Sequence, residues 1–138
     1  MDAATLERDW RAALTPLADD GDTGPLLGFF EDAALFVDED NPFVLDRAGF
    51  DDHMRFHTSG IWDHMVLRTQ EERFDVFGTT GLVSCLITRR GKPRDGGFRQ
   101  RHGVGTFVCH WDETAGCWRG ACLHLSTLLA HTNKCSPT

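Results

Sequence analysis

Cys117-Trp118-Arg119-Gly120-Ala121-Cys122-Leu123-His124-Leu125-Ser126 is a run of strand formers with tryptophan at its head and a histidine and a serine at its foot. Before it stands Asp112-Glu113-Thr114-Ala115-Gly116, and before that a second apolar run, Thr106-Phe107-Val108-Cys109-His110-Trp111. Two such runs across a short turn bearing Asp and Gly read as an antiparallel hairpin. Side chains alternate along a strand, so uninterrupted alternation places Trp118, Gly120, Cys122, His124 and Ser126 on one face. Arg119, Ala121, Leu123 and Leu125 take the other, which is the more apolar and suits a core. The first face ends in two hydrogen-bonding groups, as a strand at a pocket mouth would.

Upstream of the hairpin the period is first helical and then strand-like. Leu6, Trp10, Ala13, Leu14 and Leu17 recur at helical spacing with charged residues between them, an amphipathic helix that stops before Asp19-Asp20-Gly21-Asp22. Thr23 and Pro25 open a short second helix through Phe30. Ala34 to Glu39 has strand composition and ends at Asp40-Asn41-Pro42, with Phe43-Val44-Leu45 as a short return strand. Phe50, Met54 and His57 mark a third helix, with Asp51 and Asp52 near the N-terminus where the dipole favours acids. Met65 to Phe77 is a long strand in which Gln70-Glu71-Glu72-Arg73 is a candidate bend or bulge. Leu82 to Thr88 is a strand, and Arg89 to Gly97 reads as a basic, glycine-rich loop.

The chain of 138 residues is long enough to bury its own core as one domain, residues 1–138 with a centre of about 5–128. Its 41% apolar and 25% charged residues argue against disorder. The formal charge of −7, without a basic-aromatic patch, argues against a nucleic-acid partner. No run is long enough for a membrane span, and Met1 to Thr5 lacks the layout of a signal peptide. The five cysteines therefore read as reduced thiols of a cytoplasmic protein. Early helices and a late run of meandering strands predict an α+β fold: a cone-shaped, curved antiparallel sheet packed on N-terminal helices and enclosing a pocket.

This order resembles the nuclear transport factor 2-like superfamily, and within it the SnoaL-like and ketosteroid-isomerase-like domains. Three stretches carry the resemblance: Phe30-Glu31-Asp32-Ala33-Ala34-Leu35-Phe36-Val37 into the first strand, the Gly78-Thr79-Thr80-Gly81-Leu82-Val83 turn, and the closing strand from Trp118 to Ser126. The Trp-led strand ending His-x-Ser is also similar to the association domain of calcium/calmodulin-dependent kinase II. The resemblance implies a cofactor-independent enzyme that moves a proton on a hydrophobic carbonyl metabolite, such as a polyketide, with isomerisation, cyclisation or dehydration as the outcome. It equally allows a binding or oligomerisation module without chemistry, because the fold hosts both. A homodimer through the sheet is expected in either case.

By that resemblance, an aspartate at the end of the first strand is the base, which points to Asp38 or, one register over, Asp40. The competing reading is a solvated acidic turn. His124 is the candidate acid or carbonyl-polarising group, or else a structural histidine bonded to a backbone carbonyl. Ser126, Arg101, Phe36 and Trp62 are expected to position substrate, Arg101 by pairing with a carboxylate or enolate oxygen. No cofactor or metal is expected. His53 and His57, one helical turn apart, lack the glutamate of the zinc-protease motif, and the cysteines lack metal-ligand spacing. The chain contains no tyrosine, so the tyrosine-based oxyanion hole of ketosteroid isomerases is missing.

Overall fold

The computed structural model describes residues 1–38, 43–55, 62–93 and 99–127, apart from the side chains of residues 55, 62–65, 93, 99 and 127. Helix α1 (Ala3–Asp20) starts from a reciprocal cap: the Thr5 amide donates to Asp2 Oδ1 at 2.9 Å and the Asp2 amide donates to Thr5 Oγ1 at 3.0 Å. These bonds satisfy two of the donors that every helix start leaves open. Helix α2 (Gly24–Phe29) carries Pro25 in its first turn, and helix α3 (Arg47–Arg55) follows strand β1 (Phe30–Asp38). Four further strands complete the chain: β2 (Trp62–Phe77), β3 (Thr80–Pro93), β4 (Arg99–Asp112) and β5 (Cys117–Thr127).

The five strands form one α+β sheet in the order β1-β5-β4-β3-β2. β2 to β5 are antiparallel neighbours, as the meander predicts, whereas edge strand β1 pairs with β5 in parallel. The parallel edge follows from connectivity, since the chain crosses the whole sheet between β1 and β5. Leu45 adds a single antiparallel bridge to Phe36 on the other side of β1.

Helix α1 lays Leu6, Trp10, Ala13, Leu14 and Leu17 on the inner face of this sheet. Trp10 meets the edges of Phe74 and Phe107 at centroid distances of 5.4 and 5.5 Å. Trp118 locks the other flank, its amide donating to Asp9 Oδ2 at 2.9 Å and its indole N–H to Thr5 Oγ1 at 3.1 Å. The candidate bulge in β2 is real: the ladder slips between Gln70 and Arg73, and Glu71 takes a φ of 53°. It turns Glu72 toward Thr69, whose hydroxyl donates to it at 2.9 Å, and toward Arg11 of α1 at 3.7 Å. Burial alone would raise the Glu72 carboxyl; its backbone amide, Thr69 and Arg11 outweigh that and hold it below the ordinary value. Under the helix, burial pushes the Cys85 and Cys109 thiols up to about 12, so both stay protonated and inert.

A second slip decides which face each end of the sheet presents. Cys109 pairs with Gly120 but Val108 pairs with Cys122, so Ala121 is an extra residue in β5. Opposite it, β1 slips between Phe30 and Leu35. Phe30 packs over Gly120 so closely that an added Cβ would lie 2.4 Å from its ring. Before the bulge Trp118 and Gly120 face inward; after it Leu123 and Leu125 do. The alternation expected along Trp118 to Ser126 is thus broken in the middle, and Cys122, His124 and Ser126 point outward.

Gly120→Ala is expected to cost about 1–3 kcal/mol in urea unfolding, because the new methyl has to displace the Phe30 ring. Gly28→Ala, with nothing within 4 Å of its would-be Cβ, is expected to be neutral or to stabilise by up to about 1 kcal/mol. Equal effects at the two positions would contradict the packing at the bulge.

Candidate active site

Asp38 is the last residue of β1 and is 1% exposed, on the inner face beside Leu125 in register. A carboxylate there loses nearly all of its water, so partners have to replace it. Two do so on one oxygen. His53 Nε2 lies 3.1 Å from Asp38 Oδ2, and Arg89 donates from Nη2 to the same atom at 3.2 Å. The His53 and Arg89 side chains are only 10% and 15% exposed.

Helix α3 brings His53 to this point through an aromatic stack. Phe50 lies flat on Phe36, with centroids 4.2 Å apart and planes within 6°. Two residues along β1 from Phe36 is Asp38, and three along α3 from Phe50 is His53. Those steps rise about 6.6 Å and 4.5 Å respectively, so the stack sets the second pair side by side. Asp46 anchors the start of α3 by accepting from the Gly49 amide at 2.8 Å.

Arg89 arrives from much further away in the sheet. β3 is three strands from β1, roughly 14 Å in a flat sheet and beyond the reach of an arginine side chain. Contact at 3.2 Å requires a curved sheet with a clear floor between the two strands. β4 supplies the floor with Gly103 and Gly105, both buried on the inner face. A Cβ at Gly105 would lie 2.4 Å from Ile87 Cδ1. Arg101 stands directly opposite Arg89 in the ladder, on the same inward phase but exposed, nearer the end of the sheet.

The structure thus brings together Asp38, Phe36 and Arg101 from the residues singled out by sequence, and adds His53 and Arg89. His124 is exposed on the outer face, where its Nε2 lies 3.3 Å from Ser126 Oγ. The bulge at Ala121 separates this pair from Asp38, so neither residue shares the Asp38 site. Trp62 opens β2 opposite Pro93, and its side chain is not among those described. Asp40 and His57 lie outside the described residues.

Sequence reasoning missed Arg89 because Arg89 to Gly97 looked like a loop; instead β3 runs on to Pro93. His53 enters the sequence reading only as half of a weak metal-binding pair, yet its position one turn after Phe50 places it on the buried side of α3. Among the described residues, no group of three His, Cys, Asp or Glu is arranged to hold a metal ion. The gap beside Arg89, Arg101, Ile87 and Leu125 measures about 10 Å³, room for one water molecule. A far larger open cleft of about 550 Å³ lies between α2 and α3, around the Asp32–Arg47 ion pair and away from this chemistry.

No family model matches the chain, and no curated protein matches it in sequence. Solved structures do match. An NTF2-like superfamily protein from Salmonella enterica superposes with a TM-score of 0.74 at 14% identity, covering 87% of this chain and 86% of that one. The fold is that of the nuclear transport factor 2-like superfamily. Also similar are the hexachlorocyclohexane dehydrochlorinase LinA-type3 from Novosphingobium barchaimii, with a TM-score of 0.74 and 14% identity over 91% of this chain and 85% of that one, and a ketosteroid isomerase-like protein from Erwinia carotovora atroseptica. The latter has a TM-score of 0.72 and 14% identity over 91% of this chain and 95% of that one. Among the described residues, no helix is long and apolar enough to cross a membrane.

Removing one partner of a buried ion pair strands the other. Arg89→Met is therefore expected to destabilise by about 3 kcal/mol in urea unfolding, and adding Asp38→Asn is expected to recover much of that loss. An Arg89→Met protein as stable as the parent would show that the pair is not desolvated.

Proposed function

We propose that this NTF2-like protein is a cofactor-independent enzyme that transfers a proton on a hydrophobic carbonyl metabolite, leading to isomerisation, cyclisation or elimination. The observation that carries this reading is the Asp38–His53 pair, nearly dry and held from behind by Arg89. Arg89 and His53 hold the same Asp38 oxygen, which suits this carboxylate to orienting the imidazole. An imidazole is the side-chain base suited to neutral pH. With its Nε2 proton shared with Asp38, His53 carries its basic lone pair on Nδ1, as in a histidine–carboxylate dyad. His53 thus takes the proton-transfer role that sequence gave to Asp38 and His124, and Asp38 becomes its positioning residue. Dehydrochlorination and ketosteroid isomerisation, named for two similar structures, both begin by abstracting a proton from carbon.

A second reading has its own support. The inner face is filled by Trp10, Phe30, Phe36, Phe50 and Phe107, and only about 10 Å³ is open beside Arg89. A curved sheet filled in this way suits a binding or assembly module. Solvent deuterium incorporation at the α-carbon of a panel of aryl ketones, followed by NMR, separates the two. The enzyme incorporates deuterium, and His53→Gln slows it by about 100-fold or more. Unchanged exchange in His53→Gln, or none above buffer in the parent protein, favours the module.

The outer face of the sheet supports a homodimer, with Leu35 on β1 standing 50% exposed and Val104 and Val108 on β4, one strand beyond β5, standing 40% and 37% exposed. One self-complementary face on each copy is what a two-fold contact uses. Light scattering is expected to give twice the monomer mass, and Val104→Glu to give the monomer, with the fold retained by circular dichroism.

A further inference from the structure

We propose that the outer face of the sheet is a pH-sensitive contact between two copies of this chain, and that His124 is the group that loosens it in acid. This rests on the homodimer reading above and adds the regulation of that contact.

The ladder register fixes what the face presents. Thr106, His124 and Val37 stand side by side across β4, β5 and β1. Val108, Cys122 and Leu35 make the row before them, and Val104 and Ser126 the row after. All of these side chains are at least partly exposed on the outward phase. His124 is thus the middle of the field, and among the described residues its hydrogen-bond partner is the Ser126 hydroxyl at 3.3 Å.

Two properties suit this face to a second copy. The chain has 14 basic and 21 acidic residues, yet none of the residues in these rows carries a formal charge at neutral pH. A molecule of net charge −7 repels its own copy, so self-contact needs a face where no charge is pressed against its like. The size also fits. Five strands as long as the 11-residue β5 outline roughly 900 Å² by strand spacing and rise. A standard interface takes about 800 Å² from each partner.

A two-fold contact sets the middle of one face against the middle of the other. His124 is then covered by the partner's copy of the same field. A neutral imidazole keeps its bond to Ser126 there, whereas a protonated one loses its water and gains no anion in return. The described charged and titratable groups of the surrounding strands are engaged or distant. On β4, His102 is bonded to Thr88 and Gln100, and His110 pairs with Glu31 at 2.9 Å. On β1, Glu31 and Asp32 lie within the slip, Asp32 held by Arg47, while Asp38 faces the other side of the sheet. On β5, Arg119 donates to the Phe30 carbonyl. Arg90 and Lys92 sit near the far end of β3, and Arg68 and the Arg73–Asp75 pair belong to β2, three strands from β5. The two copies therefore hold while the imidazoles are neutral and separate as pH falls through the ordinary imidazole range, about 6.5.

Sedimentation equilibrium of the full chain under reducing conditions, at about pH 7.5 and about pH 5.5 with circular dichroism at both, tests this. The dissociation constant is expected to rise about tenfold or more at the lower pH. His124→Gln keeps a hydrogen-bonding group but takes no proton, and is expected to dimerise equally at both values. His124→Lys is expected to be monomeric at both, and His102→Gln to keep the parent's pH dependence. A parent dimer equally tight at both values, or a pH dependence that survives His124→Gln, would overturn the role of His124 and leave the homodimer standing. The lysine variant carries the test at neutral pH apart from any effect of acid on the fold: a His124→Lys dimer as tight as the parent's also overturns the proposal. A folded parent that is monomeric at both values gives the face to a different partner and ends the homodimer reading together with this one.

Discussion

The Phe30 ring against the bare backbone of Gly120 is the contact on which the two ends of the sheet depend. Side chains larger than hydrogen at position 120 collide with the ring, so Phe30 of β1 pairs there with bare backbone of β5. The ladder resumes only after an extra residue in β5 and four in β1. Because a strand has period two, one extra residue exchanges the faces of everything beyond it. Leu123 and Leu125 therefore close the core, His124 and Ser126 go to the outside, and Asp38 runs inward beside Leu125. A sequence reading that carried alternation through Ala121 puts the histidine on the same side as the carboxylate. The bulge puts the sheet between them.

Past that bulge, the inner face changes character. Toward α1 the packing is aromatic: Trp10 meets Phe74 and Phe107 edge to face, and Trp118, edge on to Trp111, ties the helix down through Asp9 and Thr5. Toward the far end β4 turns to glycine, and β3 and β4 place arginines opposite each other. A carboxylate buried under a histidine and an arginine contributes little to stability, since desolvation offsets most of the attraction. Apolar residues of similar size would hold the same sheet at least as well. Stability therefore does not account for the charged cluster, which holds a carboxylate, an imidazole and a guanidinium together at one small, dry end of the sheet.

Much of the fold was legible because several of its signals are local. The spacing of Leu6, Trp10, Leu14 and Leu17 yields α1, and the turn between Trp111 and Trp118 yields the last hairpin. The charged run Gln70 to Arg73 yields the bulge that docks on Arg11. Three features were hidden because their causes are distant in sequence. β3 continues through Gly91 to Pro93 because β4 pairs with it from Arg99 onward, overriding the turn composition of that segment. The parallel edge of β1 is set by where the chain re-enters the sheet some 80 residues later. The phase change at Ala121 comes from Phe30, nearly a hundred residues earlier. The candidate site divides along the same line. Asp38, with Asp40 as alternate, was singled out by the family resemblance and Arg101 by strand alternation, while Arg89 depended on knowing how far β3 extends.

His53 marks the boundary between those two kinds of information. Its helical position relative to Phe50 was readable, but its meaning required knowing that Phe50 stacks on Phe36, and only then that Asp38 lies below it. The stack is apolar and unspecific as a packing unit. What makes it specific is the arithmetic of two residues along a strand against three along a helix, which brings one particular carboxylate to one particular imidazole. Solved structures at about 14% identity share this sheet and helix arrangement, so the frame tolerates wide substitution. The charged contact does not share that tolerance: shifting either element by one residue would keep the aromatic contact replaceable by another apolar pair, yet would separate His53 from Asp38. The fold and the Asp38–His53 contact therefore rest on different numbers of residues, many interchangeable ones for the curved sheet and a few fixed ones at its charged end.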